Sequence, residues 1–433
     1  MQTSIEVKLY KAKDLPQNWA KRQQVDQKAT ADLEASVKNI INQVKADGDK
    51  ALLEFALRFD KAKLTADTLK ASAEEIQEAY KAVSKEQVTA IEFMKQRVSV
   101  FQKQLVSQTT VKAFNEGIMV QTVLRPIESV GCYVPGGQAA YPSTVVMTAV
   151  PAKIAGVPRI VVCSPSDAQG KINPLVLVAA DICGVNEVYK VGGAQAIAAL
   201  AYGTDTIKPV RKIMGPGSKY VTMAKVIVSQ DVAIDMPAGP SEVLILADQT
   251  ADPSYIAYDM ISQAEHGTDS VAALITTSDK LASEVQTQLG KLAAAAPRAE
   301  KIADSLNKYG FIVVCSDIEE AVKLTNEFAS EHLEVITKDP QALADKLVAG
   351  LILLGPYSPV PLSDYASGTN HVLPTGGFAK SFSGLSAIDY MRRVSIAECS
   401  REGLEKVRAQ VKVLTDTENL PNHSKAIAAR FEQ

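Results

Sequence analysis

The sequence predicts an α/β protein built on two doubly wound parallel sheets with a cleft between them. Three observations predict it. From Ile127 onward, short β-branched runs alternate with Ala-rich helical stretches, the rhythm of βαβ units. That rhythm runs through two blocks of similar size, joined by the Pro- and Gly-rich link Asp235-Met236-Pro237-Ala238-Gly239-Pro240-Ser241-Glu242. A chain of 433 residues that is 46% hydrophobic also has the length and apolar content for more than one core. Helical segments flank the two blocks.

The first ~125 residues read as helical. Leu33, Val37, Ile40, Ile41 and Val44 recur at the spacing of one helical face. Asp47-Gly48-Asp49 interrupts that face, and Leu52, Phe55, Ala56 and Phe59 mark the next. A third helix is expected over 85–102. In the first block, strands are expected at 159–163, 187–191 and 232–234, with helices at 173–183, 193–202 and 218–230. In the second, strands are expected at 243–246, 271–276, 311–315, 333–336 and 351–354. Its helices are expected at 253–266, 279–293, 318–328 and 340–348. From Ala387 the chain turns charged and helical, which reads as an arm rather than a third core. Sequence alone does not establish the two blocks as a duplication.

Composition narrows the partners. Lys+Arg 46 against Asp+Glu 49 gives a net charge of −3, and no basic stripe stands out, so nucleic acid is not expected. The N-terminal stretch Met1-Gln2-Thr3-Ser4-Ile5-Glu6-Val7-Lys8 lacks the apolar run of a signal peptide. The longest apolar runs, such as 145–150, fall far short of a membrane span. Five cysteines are scattered without a Cys-x-x-Cys pair, the pattern of reduced core thiols. A soluble cytoplasmic protein is expected.

The chain has only four histidines, each beside a carboxylate, an amide or a glycine. Asp252-Pro253 opens a helix that Gly267 ends, which puts Gln263 and His266 at i and i+3 on its last turn. An amide oxygen and an imidazole so placed can share an ion; a histidine favourably placed against the helix dipole is the alternative. Glu331-His332 falls at a helix-to-strand junction, where a carboxylate beside an imidazole can serve as an acid–base pair. The plain alternative is a surface pair. Asp364 and His371 lie in a stretch rich in turn formers, from Gly355-Pro356 to Gly368-Thr369-Asn370, which predicts a shaped loop. The turns Val134-Pro135-Gly136-Gly137, Val191-Gly192-Gly193-Ala194-Gln195 and Met214-Gly215-Pro216-Gly217 suit phosphate approach or tight turns equally. Ser241 sits in the link between the blocks, without the elbow of a nucleophile.

Taken together these segments resemble the histidinol dehydrogenase family. The matching stretches include Tyr133 to Gly137, Gly192 to Ala196, Gly215 to Val221 and Asp235 to Glu242. Gln263-Ala264-Glu265-His266, Ser330 to Leu333, Asp364 to Thr375 and Glu418 to His423 complete them, in order over nearly the whole chain. The resemblance implies oxidation of L-histidinol to L-histidine by two NAD+ through a retained L-histidinal. It implies one zinc ion per site, held by Gln263, His266, Asp364 and His423. Glu331 and His332 would be the acid–base pair. Ser241, His371 and Glu418 would contact substrate, together with His332 and the zinc ligands; Tyr133, Gln195 and Ser218 would face NAD. A homodimer is implied in which Glu418 and His423 complete the partner's site. The implied domains are Rossmann-like. An arm at 1–24 precedes a larger domain of 25–129 with 240–380, which carries the catalytic and metal residues. The NAD-facing domain is 130–239, and a C-terminal arm spans 381–433.

The chain departs from the family pattern at several points. Ser218 replaces a usual Asn, Asn419 a usual Gly, and Gly267-Thr268-Asp269 follows His266 in place of Asp-Pro. Val360 and Ser363 stand in a lead-in to Asp364 that lacks a Glu and a Gly. Alternatives are a dehydrogenase of another amino or sulfonated alcohol on the same scaffold, and a non-catalytic metal- or ligand-binding protein. A zinc hydrolase lacks the expected His-Glu-x-x-His.

Overall fold

The computed structural model describes residues 5–21, 27–136, 140–236 and 239–432. Gly137 of the first glycine turn, and Pro237 and Ala238 of the link, lie outside them.

Strand β1 (Lys8–Lys11) comes first, followed by helices α1 (Gln27–Asp47), α2 (Asp49–Phe55), α3 (Ala73–Ala82) and α4 (Lys85–Ser107). Ser72 and Ser84 start α3 and α4 through capping boxes with Glu75 and Gln87. The helical expectation for this region missed β1 and the hairpin strands β2 (Lys112–Asn115) and β3 (Ile118–Pro126). β1 and β2 are short and largely exposed, so no buried face imposes alternation on them.

The first sheet takes β4 (Ser129–Tyr133), α5 (Pro142–Ala155), β5 (Arg159–Cys163), α6 (Pro174–Ile182) and β6 (Glu187–Tyr189). It continues through α7 (Gly193–Tyr202), β7 (Lys212–Met214), α8 (Lys219–Val228) and β8 (Ala233–Ile234). Its parallel strands run β6-β5-β4-β7-β8. The chain winds outward from β4 in one direction, then returns to lay β7 on the other side. That reversal is a topological switch point, where the loops at the strand C-terminal ends part and leave a crevice.

The second sheet takes β9 (Glu242–Ala247), α9 (Pro253–Ala264), β10 (Val271–Thr276), α10 (Asp279–Ala295), α11 (Ala299–Tyr309) and β11 (Phe311–Val314). It then adds α12 (Ile318–Phe328), β12 (His332–Ile336), α13 (Gln341–Ala344), β13 (Leu351–Leu354) and α14 (Val360–Tyr365). Its parallel order, β1-β11-β10-β9-β12-β13, repeats the winding of the first sheet, with β1 added at one edge. The doubly wound α/β fold is thus observed in both blocks.

Beyond the second sheet, β14 (Met391–Cys399) pairs antiparallel with β3 along its whole length, and α15 (Arg401–Thr417) and α16 (Pro421–Ala428) follow. A helical continuation from Ala387 is therefore corrected to a strand before the helical arm. Tyr390, fully buried, donates its hydroxyl to the Thr148 carbonyl at 2.8 Å and anchors this segment to α5.

The N-terminal helices do not join the second sheet, as the resemblance implied. Val37, Ile40, Ile41 and Val44 of α1 share a core with Ile197 and Leu200 of α7 and Val221 of α8. Ile91, Met94 and Val98 of α4 share another with Val146 and Val150 of α5. Alanines of α7 let α1 approach closely, so burial of that face is satisfied on the first sheet. Four cysteines are buried, Cys399 is exposed, and all five are free. No described helix is long and apolar enough to cross a membrane.

Candidate active site

β9 and β12 are parallel neighbours, so their first residues share one edge of the second sheet. Ala329, in the left-handed region at φ 48, ends α12 and turns the chain into Ser330-Glu331-His332. Two carboxylates clasp this edge: Glu331 Oε2 accepts from the Glu242 amide at 2.8 Å, and Glu242 Oε2 accepts from the Glu331 amide at 3.3 Å. Glu242 Oε1 also accepts from the Gly376 amide at 2.9 Å. Glu331 and His332 are 6% and 4% exposed, so the pair is no surface feature.

His332 Nδ1 lies 3.2 Å from the Glu242 carbonyl oxygen and 3.6 Å from Glu331 Oε2. A carbonyl can only accept, so Nδ1 carries the proton and Nε2 is the exchanging nitrogen. Nε2 is buried, has no hydrogen-bond partner among the described residues, and stands 3.7 Å from Asp364 Oδ1. Burial opposes the charged imidazole, but Glu331 and Asp364 together outweigh it and hold the group up at about 10.

Helices α9 and α14 follow strands and run back toward this edge, which delivers their last turns to it. Gln263 is 1% exposed and its side-chain nitrogen has no partner. The helix expected to reach His266 stops at Ala264 with Glu265 as its cap. His266 is exposed, its amide bonded to the Gln263 carbonyl at 3.3 Å. Asp364 is not on a loop but in the last turn of α14, because Pro359 and Pro361 favour a helix start there. Its Oδ1 is buried without a hydrogen-bond partner. Burial alone would raise its pKa; the imidazoles of His332, His371 and His266 outweigh burial and hold it below the carboxylate norm.

His371 Nε2 lies 3.5 Å from Thr144 Oγ1 at the start of α5, and burial depresses its pKa. Asn370 beside it donates to the Met147 carbonyl at 2.8 Å. These contacts bring the start of α5, at the C-terminal edge of the first sheet, against the catalytic edge of the second. Ser241 is half-buried immediately before β9. Glu418 caps α15 and His423 lies in α16; both are exposed, and the charges acting on Asp364 do not include His423. Among the described residues, no group of three or more His, Cys, Asp or Glu is placed to hold a metal ion.

The other expected residues surround the switch point of the first sheet. Tyr133 ends β4, and its hydroxyl accepts from the Gly193 amide at 3.0 Å. Gln195, 3% exposed, lies in the first turn of α7. Ser218 is the exposed N-cap of α8 and makes no side-chain capping bond. Gly215, at φ 113, lies so close to β4 that an added Cβ would stand 2.2 Å from the Tyr133 carbonyl oxygen.

Two departures have local explanations. Asn419 adopts φ 56, a conformation that glycine occupies freely and asparagine tolerates. Ser363 is fully buried and returns its hydroxyl to the Val360 carbonyl at 2.7 Å. Sequence reasoning missed Glu242 as a site residue. The available signal was a carboxylate opening a strand of otherwise apolar residues.

A topological switch point on one sheet, with a buried carboxylate–imidazole pair on the edge of another, is a layout that suits a dehydrogenase. The histidinol dehydrogenase family model matches residues 21–431. A histidinol dehydrogenase of Methanothermobacter thermautotrophicus is 44% identical over 401 residues, covering 92% of this chain and 94% of that protein. One from Bacteroides fragilis is 45% identical over 410 residues, covering 93% and 94%. The crystal structure of histidinol dehydrogenase from Elizabethkingia anophelis superposes with a TM-score of 0.93 at 35% identity, covering 99% of this chain and 98% of that one. The chain belongs to the histidinol dehydrogenase family.

Proposed function

We propose that the protein oxidises L-histidinol to L-histidine in two NAD-dependent steps, retaining L-histidinal between them. The observation that carries this reading is the partnerless Nε2 of buried His332, backed by Glu331 and Glu242. In the first step His332 Nε2 takes the hydroxyl proton as the carbinol carbon gives up a hydride. NAD+, when bound, supplies the hydride acceptor for each oxidation. His332 then releases that proton to solvent, Glu331 assists addition of water to the aldehyde, and the neutral His332 takes a proton of the resulting hydrate as the second hydride leaves. An imidazole held near 10 is cationic at neutral pH. It would serve as a base once a cation held at Asp364 weakened the carboxylate pull on the ring.

Zinc fits that need. The buried Asp364 Oδ1, without a hydrogen-bond partner among the described residues, and the His266 imidazole in electrostatic reach of it are O and N donors of the kind a catalytic zinc takes, and the buried Gln263 amide would offer its oxygen. Gln263, His266 and Asp364 would hold the ion, and His423 of a second copy would complete the set. Bound zinc would orient the amino alcohol and stabilise developing oxygen charge. Ser241, His371 and Glu418 are assigned to substrate, and Tyr133, Gln195 and Ser218 to NAD. The exposed arm carrying Glu418 and His423 supports a homodimer with shared sites. We assign 130–239 as the cofactor half and 240–380 as the catalytic half. Five free cysteines support a reducing compartment such as the cytoplasm.

The test is NADH formation from L-histidinol and NAD+, with and without a chelator. Two NADH per histidinol, lost on chelation and restored by Zn2+, is expected. No NADH from histidinol, but NADH from another amino alcohol, would favour a different substrate. The altered lead-in at Val360 and Ser363 would then be the first place to look.

A further inference from the structure

The first sheet contains a buried ion pair that the reaction does not use. Lys225 of α8 and Asp235, just after β8, form it with side chains 3% and 0% exposed. Both grip the backbone of one residue, Gly215. Lys225 Nζ donates to the Gly215 carbonyl at 2.9 Å, and the Gly215 amide donates to Asp235 Oδ2 at 2.7 Å. Asp235 Oδ1 accepts from the Met236 amide at 2.7 Å, which ties the start of the link to the same point.

Gly215 is where such a grip matters. It follows β7 directly, opens the turn that ends at the Ser218 N-cap, and leaves no room for a Cβ against the Tyr133 carbonyl. A buried ion pair is a poor way to gain stability alone, because both charges lose their water. It is a good way to fix a backbone segment, since charge-assisted bonds to the N–H and the C=O of one residue orient both peptide planes that meet at its Cα. With the Gly215 N–H and C=O both occupied inward, the turn presents the next residues and the α8 N-terminus to the crevice.

We infer that Lys225 and Asp235 are positioning residues for NAD, acting through the Gly215 peptide to hold the switch-point turn in its cofactor-receiving shape. The inference rests on the reading that NAD binds at this switch point. It implies that loosening the clamp weakens cofactor binding selectively, because the acid–base residue His332 lies on the other sheet.

The test is steady-state kinetics on the zinc-loaded full chain, with NAD+ titrated by calorimetry. In Lys225→Met the KM and Kd for NAD+ should rise about tenfold, while kcat and the KM for histidinol stay within about twofold. Removing one charge strands the other, so Lys225→Met with Asp235→Asn is the second variant, neutral at both positions. The same selective rise is expected there. Normal NAD+ affinity in a folded clamp variant would overturn the inference, as would equal losses in kcat and both KM values. Ser218→Trp separates the two readings. If it blocks NAD+ binding while clamp variants bind normally, only the clamp fails. If it leaves binding intact, the switch-point reading fails and takes the clamp with it.

Discussion

His332 is held by a backbone carbonyl on one nitrogen and faces a carboxylate with the other, so its orientation is settled before substrate arrives. His332→Ala should lower kcat by about 10²–10⁴ while leaving metal content unchanged, measured by turnover and metal analysis of the same sample. Unaltered turnover would remove it from the acid–base role. A second buried acid lies two residues on. Glu334 Oε1 accepts from the Val360 amide at 2.7 Å, Oε2 has no hydrogen-bond donor, and Asp259 faces it. Burial pushes Asp259 up to about 6, and burial with Asp259 beside it pushes Glu334 well above the carboxylate norm. The folded state therefore holds protons that the unfolded chain releases. The linked stability is full below the ordinary carboxylate pKa and is lost as pH rises through the raised values. Glu334→Gln should flatten that loss and raise the melting temperature at about pH 8 relative to the parent, read from thermal unfolding at pH values from about 4 to about 8. The histidines and the Glu331-His332 pair stood out in the sequence because such residues rarely cluster with turn formers. Glu242 and Glu334 did not, because a carboxylate within a strand reads as an outward-facing position until the covering helices are seen.

Elements position these groups, and short elements were the hardest to read. β5, β10, α12 and β13 fall where hydrophobic pattern placed them, since each is buried on a clear face or flanked by a cap. β14 was missed because its residues alternate only weakly in burial and its partner β3 lies far back in the chain. α14 was read as loop because Pro359 at its N-cap and Pro361 in its first turn signal a turn as readily as a helix start. The turn after β7 shows how little freedom such elements have. Gly215→Ala would put a methyl 2.2 Å from a carbonyl oxygen at a φ of 113. We expect it to cost more than about 2 kcal/mol. Thermal unfolding should show the lowered midpoint, and calorimetry the lost NAD+ binding; a midpoint equal to the parent's would mean that the turn adapts.

At the scale of the molecule, the arm of α15 and α16 exposes Glu418 and His423, the two residues proposed to reach a partner's site. Gly117 and Gly403 pack backbone to backbone where α15 leaves the hairpin, with an added Cβ on Gly403 only 2.8 Å from Gly117. Shared sites predict complementation. His332→Ala and His423→Ala chains, each inactive alone, should regain up to about a quarter of parental activity when unfolded together and reassembled at equal amounts. Half of the pairs are then mixed, and each mixed pair has one intact site. No recovery, with mixed dimers demonstrated, would place His423 outside its partner's site. The two-sheet plan was legible because βαβ rhythm is local. The attachment of the N-terminal helices was not, because a helix's apolar face says that it must be buried but not against which sheet.

Strand β1 adds a condition on how the chain is made. Lys8 pairs with Phe311, so this segment waits for a partner made some three hundred residues later. At typical synthesis rates that interval is roughly 15–60 s. The first sheet's strands emerge together within it, while Lys8–Lys11 remains a strand without a sheet. The edge of the second sheet is therefore closed late, by chain made long before the strand it pairs with.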